Sequence, residues 1–168
     1  MTQSTGSYLE QMANNIAAYG DKALSSDAIF VIDGWEHMQL LCKQFPSPVL
    51  STMGEIEIPE PNGSMGYQQQ QTRTAFQGPV TFHETVQGAA RGFFETVIQR
   101  GGRFNASVYE GTVEKYTRID KLKRCFLQID PADRDWENRA QVLQFSGTLF
   151  YRYFGEWVKG NYDPAQTV

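Results

Sequence analysis

His37 and His83 are the side chains of this sequence best suited to proton transfer, since a free imidazole titrates near neutral pH. Each stands alone. A catalytic histidine needs a nucleophile and an orienting acceptor, and the spacing around these two supplies neither, so surface or edge positions are expected for both. Cys42 and Cys125, the two cysteines, are too far apart for a zinc-ligand pair and too few for a disulfide framework. They read as small buried apolar residues kept reduced. Asp130, Asp133, Asp135 and Glu137 crowd into one short stretch, the density a calcium loop would need. The glycine and the bidentate glutamate of such a loop are missing, and Arg134 and Arg139 interleave with the acids. A solvated corner fits better, with salt bridges able to cross a subunit boundary. No phosphate-binding loop, dinucleotide fingerprint, nucleophile elbow or zincin helix motif occurs. Paired carboxylates for glycoside chemistry leave no trace in spacing, and nothing in the sequence selects such a pair. The expectation is a chain with no catalytic residue, no metal and no cofactor.

The bulk numbers point the same way. With 168 residues the chain reads as one domain able to bury a core. Its composition is 40% hydrophobic, 13% aromatic and 20% charged, with a net charge of −4. That acidic balance argues against gripping nucleic acid, though not against letting it pass. No basic segment followed by an apolar run opens the sequence, and no run approaches ~18 apolar residues. A soluble chain made in a cytoplasm is the expectation. The glycosylation patterns at Asn62-Gly63-Ser64 and Asn105-Ala106-Ser107 then read as chance.

The elements that would carry these residues are mostly strands. Ser7 and Glu10 have the form of a capping box before Leu9, Met12, Ile16 and Tyr19 at helical spacing, predicting an amphipathic helix over 7–24 that Gly20 ends or interrupts. Its apolar stripe must cover its own sheet or a neighbouring chain. Residues 28–33 predict a strand, and 37–45 its hairpin partner, stopped at Pro46. Residues 52–58 predict a third strand and 59–66 a turn. The glutamines at 68–71 read either as a flexible surface segment or as a strand lining a wet channel. Residues 80–83 predict a strand and Thr85 an N-cap. Val86, Ala89, Ala90, Phe93, Phe94, Val97 and Ile98 then predict a helix over 86–98, stopped by Gly101-Gly102. Gly88 and Gly92 mark either a close approach or a tolerated weak spot in it. Residues 103–109 and 113–119 predict further strands.

The stretch 121–155 organises the rest. It holds two strand-like runs around the polar corner 130–139. In the second run, 140–154, Leu143, Phe145, Leu149, Tyr151 and Tyr153 fall on one side of a period-2 pattern, and Gln144, Ser146, Thr148 and Arg152 on the other, with Val142, Phe150 and Phe154 mixed in. A strand of that length, with one wet face, suits a barrel or an assembly. Trp35, Trp136 and Trp157 sit beside turns, as rim packing or interface anchors. The expected class is α+β, mainly antiparallel, with an N-terminal segment over 1–27, a β domain over 28–154 and a C-terminal arm over 155–168.

From about 28 to 154 the element order resembles the tail tube proteins of contractile-tailed bacteriophages and the related type VI secretion tube protein. The resemblance rests on 77–84 (QGPVTFHE) leading into one amphipathic helix, the strand 104–109, and the closing run 142–153 (VLQFSGTLFYRY). It implies a β-sandwich or split barrel flanked by one helix, and homohexameric rings stacked into a tube whose inner barrel joins the long strands. DNA would pass through the lumen without specific binding. Tail sheath, baseplate and tail-terminator proteins would be the partners, and the virion tail, assembled in the host cytoplasm, the location. Leu143, Phe145, Leu149 and Tyr151 are then expected to pack between subunits. Gln144, Ser146 and Thr148 would face the lumen. The turn with Asn62 and Met65, and the corner with Asp133, Arg134, Trp136 and Arg139, would meet the next ring or the sheath. The extra helix at 7–24 and the tail beyond 154 point equally to a tube-end or baseplate-proximal subunit. A reading from another class is a small ligand-binding or hydrolytic domain, with its pocket between the helix at 86–98 and the sheet.

Overall fold

The computed structural model describes residues 3–166. Residues 1–2 and 167–168, the outer ends of the expected N-terminal segment and C-terminal arm, lie outside the described residues. The chain opens with α1 (Gly6–Ala17). The strands that follow are β1 (Ala28–Ile32), β2 (Cys42–Gln44), β3 (Ser51–Thr52), β4 (Glu55–Pro59), β5 (Met65–Gln69), β6 (Thr72–Arg73) and β7 (Ala75–His83). Then come α2 (Ala89–Gln99), β8 (Phe104–Gly111), β9 (Tyr116–Ile129), β10 (Gln144–Arg152) and β11 (Trp157–Lys159).

The main sheet runs β1-β8-β9-β10-β7-β2, with β11 also paired to β9, and every pairing is antiparallel. The central strand is β9, which joins two half-sheets. Its first half lies between β8 and β11, and its second half against β10. Between the halves Arg124 adopts φ +50° and its N–H is held by Asn105 Oδ1 at 3.2 Å. Both ladders shift register there, which is the bulge that bends the sheet. The bend carries the two outer edges toward each other until Phe30 of β1 stacks on Phe45 just past β2, with ring centroids 5.7 Å apart. The result is the α+β, mainly antiparallel class expected, as a nearly closed barrel-like sheet with two helices.

The core fills this barrel under α2. Phe30, Ile32, Val80, Phe82, Val108, Leu122 and Leu149 enter from the strands, and Ala90, Phe93 and Val97 from the helix. Periodicity placed the start of α2 three residues early. Val86 is fully exposed, and Gly88, at φ +77°, is the N-cap. Helix geometry begins at Ala89 because Glu84 folds back to accept the N–H groups of Thr85, Ala90 and Arg91 at 2.8, 3.0 and 3.0 Å, while Thr85 Oγ1 accepts that of Ala89. A carboxylate is the ligand a helix N-terminus favours. Burial pushes the Glu84 pKa up, but those donors and the Arg91 charge outweigh it and hold the carboxyl below its ordinary value. Its stabilisation is therefore complete above the ordinary carboxylate pKa and is lost as pH falls through the lowered folded value. Glu84→Gln should be less stable than the native chain at neutral pH, and the gap should close in acid; urea titrations at several pH values measure it.

Gly92 answers the question of close approach. A Cβ built there meets nothing within 4 Å, so this glycine is a weak spot. Gly92→Ala is expected to stabilise the chain by about 1 kcal/mol in urea unfolding. Destabilisation would mean that an unseen neighbour fills the space.

Four local expectations change. The N-cap of α1 is Thr5, whose hydroxyl accepts from the Tyr8 N–H at 3.4 Å, instead of a Ser7–Glu10 box. The expected return strand at 37–45 divides: Glu36–Leu40 forms a 3-10 turn that buries Met38, and β2 pairs with β7 instead of with β1. The segment at 113–119 and the run after it merge into the single long strand β9, so the longest strand precedes the corner. The tail is not only an arm, because β11 adds Trp157–Lys159 to the edge of β9.

Candidate assembly surface

In β10 the alternation holds, but over Gln144–Arg152 instead of 140–154. The strand begins where β7 ends, because Gln144 pairs with His83 and residues further back have no ladder to join. Leu149 and Tyr151 point inward and are 0% and 5% exposed. Both side chains pack in the chain's own core. Phe145 packs edge-on against Phe94 of α2 at 5.8 Å, again within the chain. Leu143 precedes the strand; its carbonyl accepts the Glu84 N–H at 2.9 Å.

The opposite face of β10 carries Gln144, Ser146 and Thr148, and the neighbouring strands extend it. Ser146 lies opposite Thr81 of β7, with hydroxyls 3.3 Å apart, and Thr81 Oγ1 donates to Gln44 Oε1 of β2 at 3.1 Å. On the other side Thr148 pairs with Gln128 of β9. A band of hydroxyls and amides, with no formal charge, therefore crosses four strands. Further along, Phe150 stacks on Phe126 at 4.8 Å, and Arg152 pairs with Lys123, whose ammonium meets Glu156 at 2.7 Å. Gln44, Thr81 and Gln128 belong to this face but were not anticipated. The alternation of Thr81 with Val80 and Phe82 was readable; the pairings that align it with Ser146 and Gln44 were not.

The corner 130–143 carries Asp133, Arg134, Trp136 and Arg139, all exposed, with Trp136 95% accessible. The ion pairs found among the described residues, Arg118–Asp120 and Lys123–Glu156, lie elsewhere. With the end of the polar face the corner forms a cleft of about 890 Å3, lined by His83, Lys43, Asp130, Asp133 and Asp135 among others. His83 and three acids thus share a cleft, but His83 Nδ1 is buried with no hydrogen-bond partner among the described residues. That leaves the imidazole without the orienting acceptor that general-base chemistry needs. No group of three or more metal-ligating side chains gathers among the described residues. His37 is apart, against Trp35 at 5.9 Å. Burial pushes the Cys42 thiol up to about 12; burial and the Asp33 charge do the same for Cys125, so neither is a ready nucleophile. The pocket expected beside α2 exists as an apolar groove of about 370 Å3, with Phe94, Val97, Ile98, Phe126 and Ile129 in its lining.

The third feature is a ribbon over 51–73. β4 pairs with β5, and β3 with β6. The glutamine run falls partly in β5, but on this ribbon and not on the sheet face. Asn62, at φ +63°, and Met65 occupy the tip, where Glu60 and Ser64 close the turn through a 2.8 Å backbone hydrogen bond. Ile56, Ile58, Met65 and Tyr67 are all exposed. A lone two-stranded ribbon is marginally stable in water, and this one leaves its apolar side chains uncovered.

The nearly closed, mainly antiparallel barrel with two helices matches the fold of chains from contractile injection systems. A chain of an extracellular contractile injection system (PVC) sheath–tube complex in the extended state matches with a TM-score of 0.52 at 12% identity, over 86% of this chain and 95% of that one. A chain of the tube-terminating cap of the anti-feeding prophage matches with a TM-score of 0.55 at 12% identity, over 82% and 90%. A chain of the PVC sheath/tube terminator gives 0.50 at 10% identity, over 82% and 96%. No family model and no curated protein matches the sequence.

Proposed function

We propose that the chain is a structural subunit of a contractile-tail tube, without catalytic activity. The observation that carries this is the uncharged band from Gln44 through Thr81 and Ser146 to Thr148 and Gln128 on the outside of a nearly closed barrel. The band itself is solvated and carries no cation, as a channel wall over which DNA slides requires; the cations of the same face, Arg152 and Lys123, lie beyond Phe150 at the far end of the strand. Copies associate into hexameric rings with this face inward, Gln144, Ser146 and Thr148 lining the lumen. Rings stack through the ribbon 51–73, whose Asn62 and Met65 tip and apolar side chains gain the partner they lack. The corner with Asp133, Arg134, Trp136 and Arg139 meets the next ring or the sheath, with baseplate and terminator proteins at the ends, in a tail assembled in the host cytoplasm. The likeness to a tube-terminating cap favours a second reading, a subunit placed at the tube's end. Negative-stain microscopy of the purified chain tests the class: rings or stacked rings are expected, and a strictly monomeric particle at high concentration, inert toward tail components, overturns it.

A further inference from the structure

Ring assembly as described leaves α1 without a task. Leu9, Met12 and Ile16 stand at helical spacing on one side of it, yet none of its described residues is buried, and Leu9 and Ile16 are each 56% exposed. The body of the chain carries the complementary feature, the groove between α2 and β9. It is floored by Phe94, Val97 and Ile129 and walled by Ile98 and Phe126, with Ile98 72% exposed. An amphipathic helix laid into an apolar groove is a common mode of recognition, with anchors spaced as Leu9, Met12 and Ile16 are. Charge agrees as well. The only ionisable side chains of α1 are Tyr8 and the acidic Glu10, whereas Arg103 lines the groove, its guanidinium 5.9 Å from the Phe126 ring, and Arg100 ends α2.

We propose that α1 of one copy docks into the α2–β9 groove of a second copy, tethering neighbouring subunits. The segment 18–27 between α1 and β1 is exposed at every position, and when extended it reaches roughly 35 Å, enough to leave its own body for an adjacent one. The contact requires no lumen and no particular ring size, so it stands or falls apart from the tube reading.

Disulfide trapping between full-length chains tests it. Copies carrying Met12→Cys are mixed with copies carrying Ile98→Cys, both in a Cys42→Ser background, and oxidised mildly; Cys125 is buried. The expected product is a mixed dimer, reduced about tenfold or more when the first partner also carries Ile16→Glu, which removes a docked apolar anchor. Ile16 is exposed, so that change leaves the fold intact. A chain with both cysteines that closes only on itself at every concentration assigns the groove to its own helix and overturns the proposal. Absence of any crosslink overturns it too, and binding of the native chain to anionic lipid vesicles in that case assigns the helix to a membrane surface.

Discussion

Phe93→Ala is expected to destabilise the chain by about 3–5 kcal/mol, the loss typical of a buried phenylalanine cut to alanine. Phe93 is 1% exposed and is the pin between α2 and the barrel. Its ring lies 5.2 Å from Trp35, 6.1 Å from Phe82, 5.6 Å from Phe94 and 6.2 Å from Phe104. These residues belong to the loop after β1, to β7, to α2 itself and to β8, so the cavity left by truncation borders four parts of the chain. Rigid strands on two sides limit how far the site can collapse, which favours the upper part of the range. In a domain stable by roughly 5–15 kcal/mol, the melting temperature should fall by roughly 10 °C or more. Calorimetry on Phe93→Ala and Phe94→Ala compares them directly. Phe94 is only half-buried and faces the open groove, so its truncation should cost less. Equal losses would mean that α2 is not pinned through Phe93.

Asp120→Ala is expected to cost about 2–4 kcal/mol, because it strands two polar partners at once. Asp120 is 3% exposed. Its Oδ1 accepts from Arg118 Nε at 2.8 Å and from the Tyr153 hydroxyl at 3.0 Å, and Arg118 Nη2 donates to that same hydroxyl at 3.0 Å. The guanidinium also lies 4.7 Å from the Trp157 ring. One carboxylate thus fastens β9 to the end of β10 and, through Arg118, to β11. The Arg118 side chain is 42% exposed and can be rehydrated, which moderates the loss. The Tyr153 hydroxyl cannot escape as easily, since that residue is 1% exposed. Tyr153→Phe, which leaves Asp120 paired with Arg118, should therefore lose less than Asp120→Ala in urea unfolding. The reverse order would remove Asp120 from the centre of this network.

The sequence carried the faces of strands well and their partners poorly. Leu149, Tyr151 and Tyr153 could be put on the apolar side of β10 because alternation is a local property. The expected start at residue 140 failed because Leu143 extends the apolar side, and the β-branched Val142 the strand-like composition, past the point where the ladder with β7 has stopped at His83. Likewise the residues after Gly34 read as the second half of a hairpin, although their strand, β2, pairs with β7 at the opposite edge of the sheet and meets β1 only where the barrel nearly closes. In α2 the apolar spacing ran back to Val86, while the carboxylate of Glu84 and the left-handed Gly88 decide where the helix starts. The polar side of the candidate surface was half legible. Gln144, Ser146 and Thr148 come from one strand, but Gln44, Thr81 and Gln128 join them only through register. The exposed apolar side chains of the ribbon 51–73 follow from a pairing, β4 with β5, that turn chemistry at 59–66 announced without its consequence.

The lumen assignment is the claim on which the account turns, and the position of Thr148 in the assembled particle tests it most directly. Thr148→Cys, labelled with a small gold cluster and imaged in averaged end-on views, should place the label inside the axial channel of a closed ring. A label on the outer rim, or a labelled chain that stays single at concentrations where rings are expected, would contradict it.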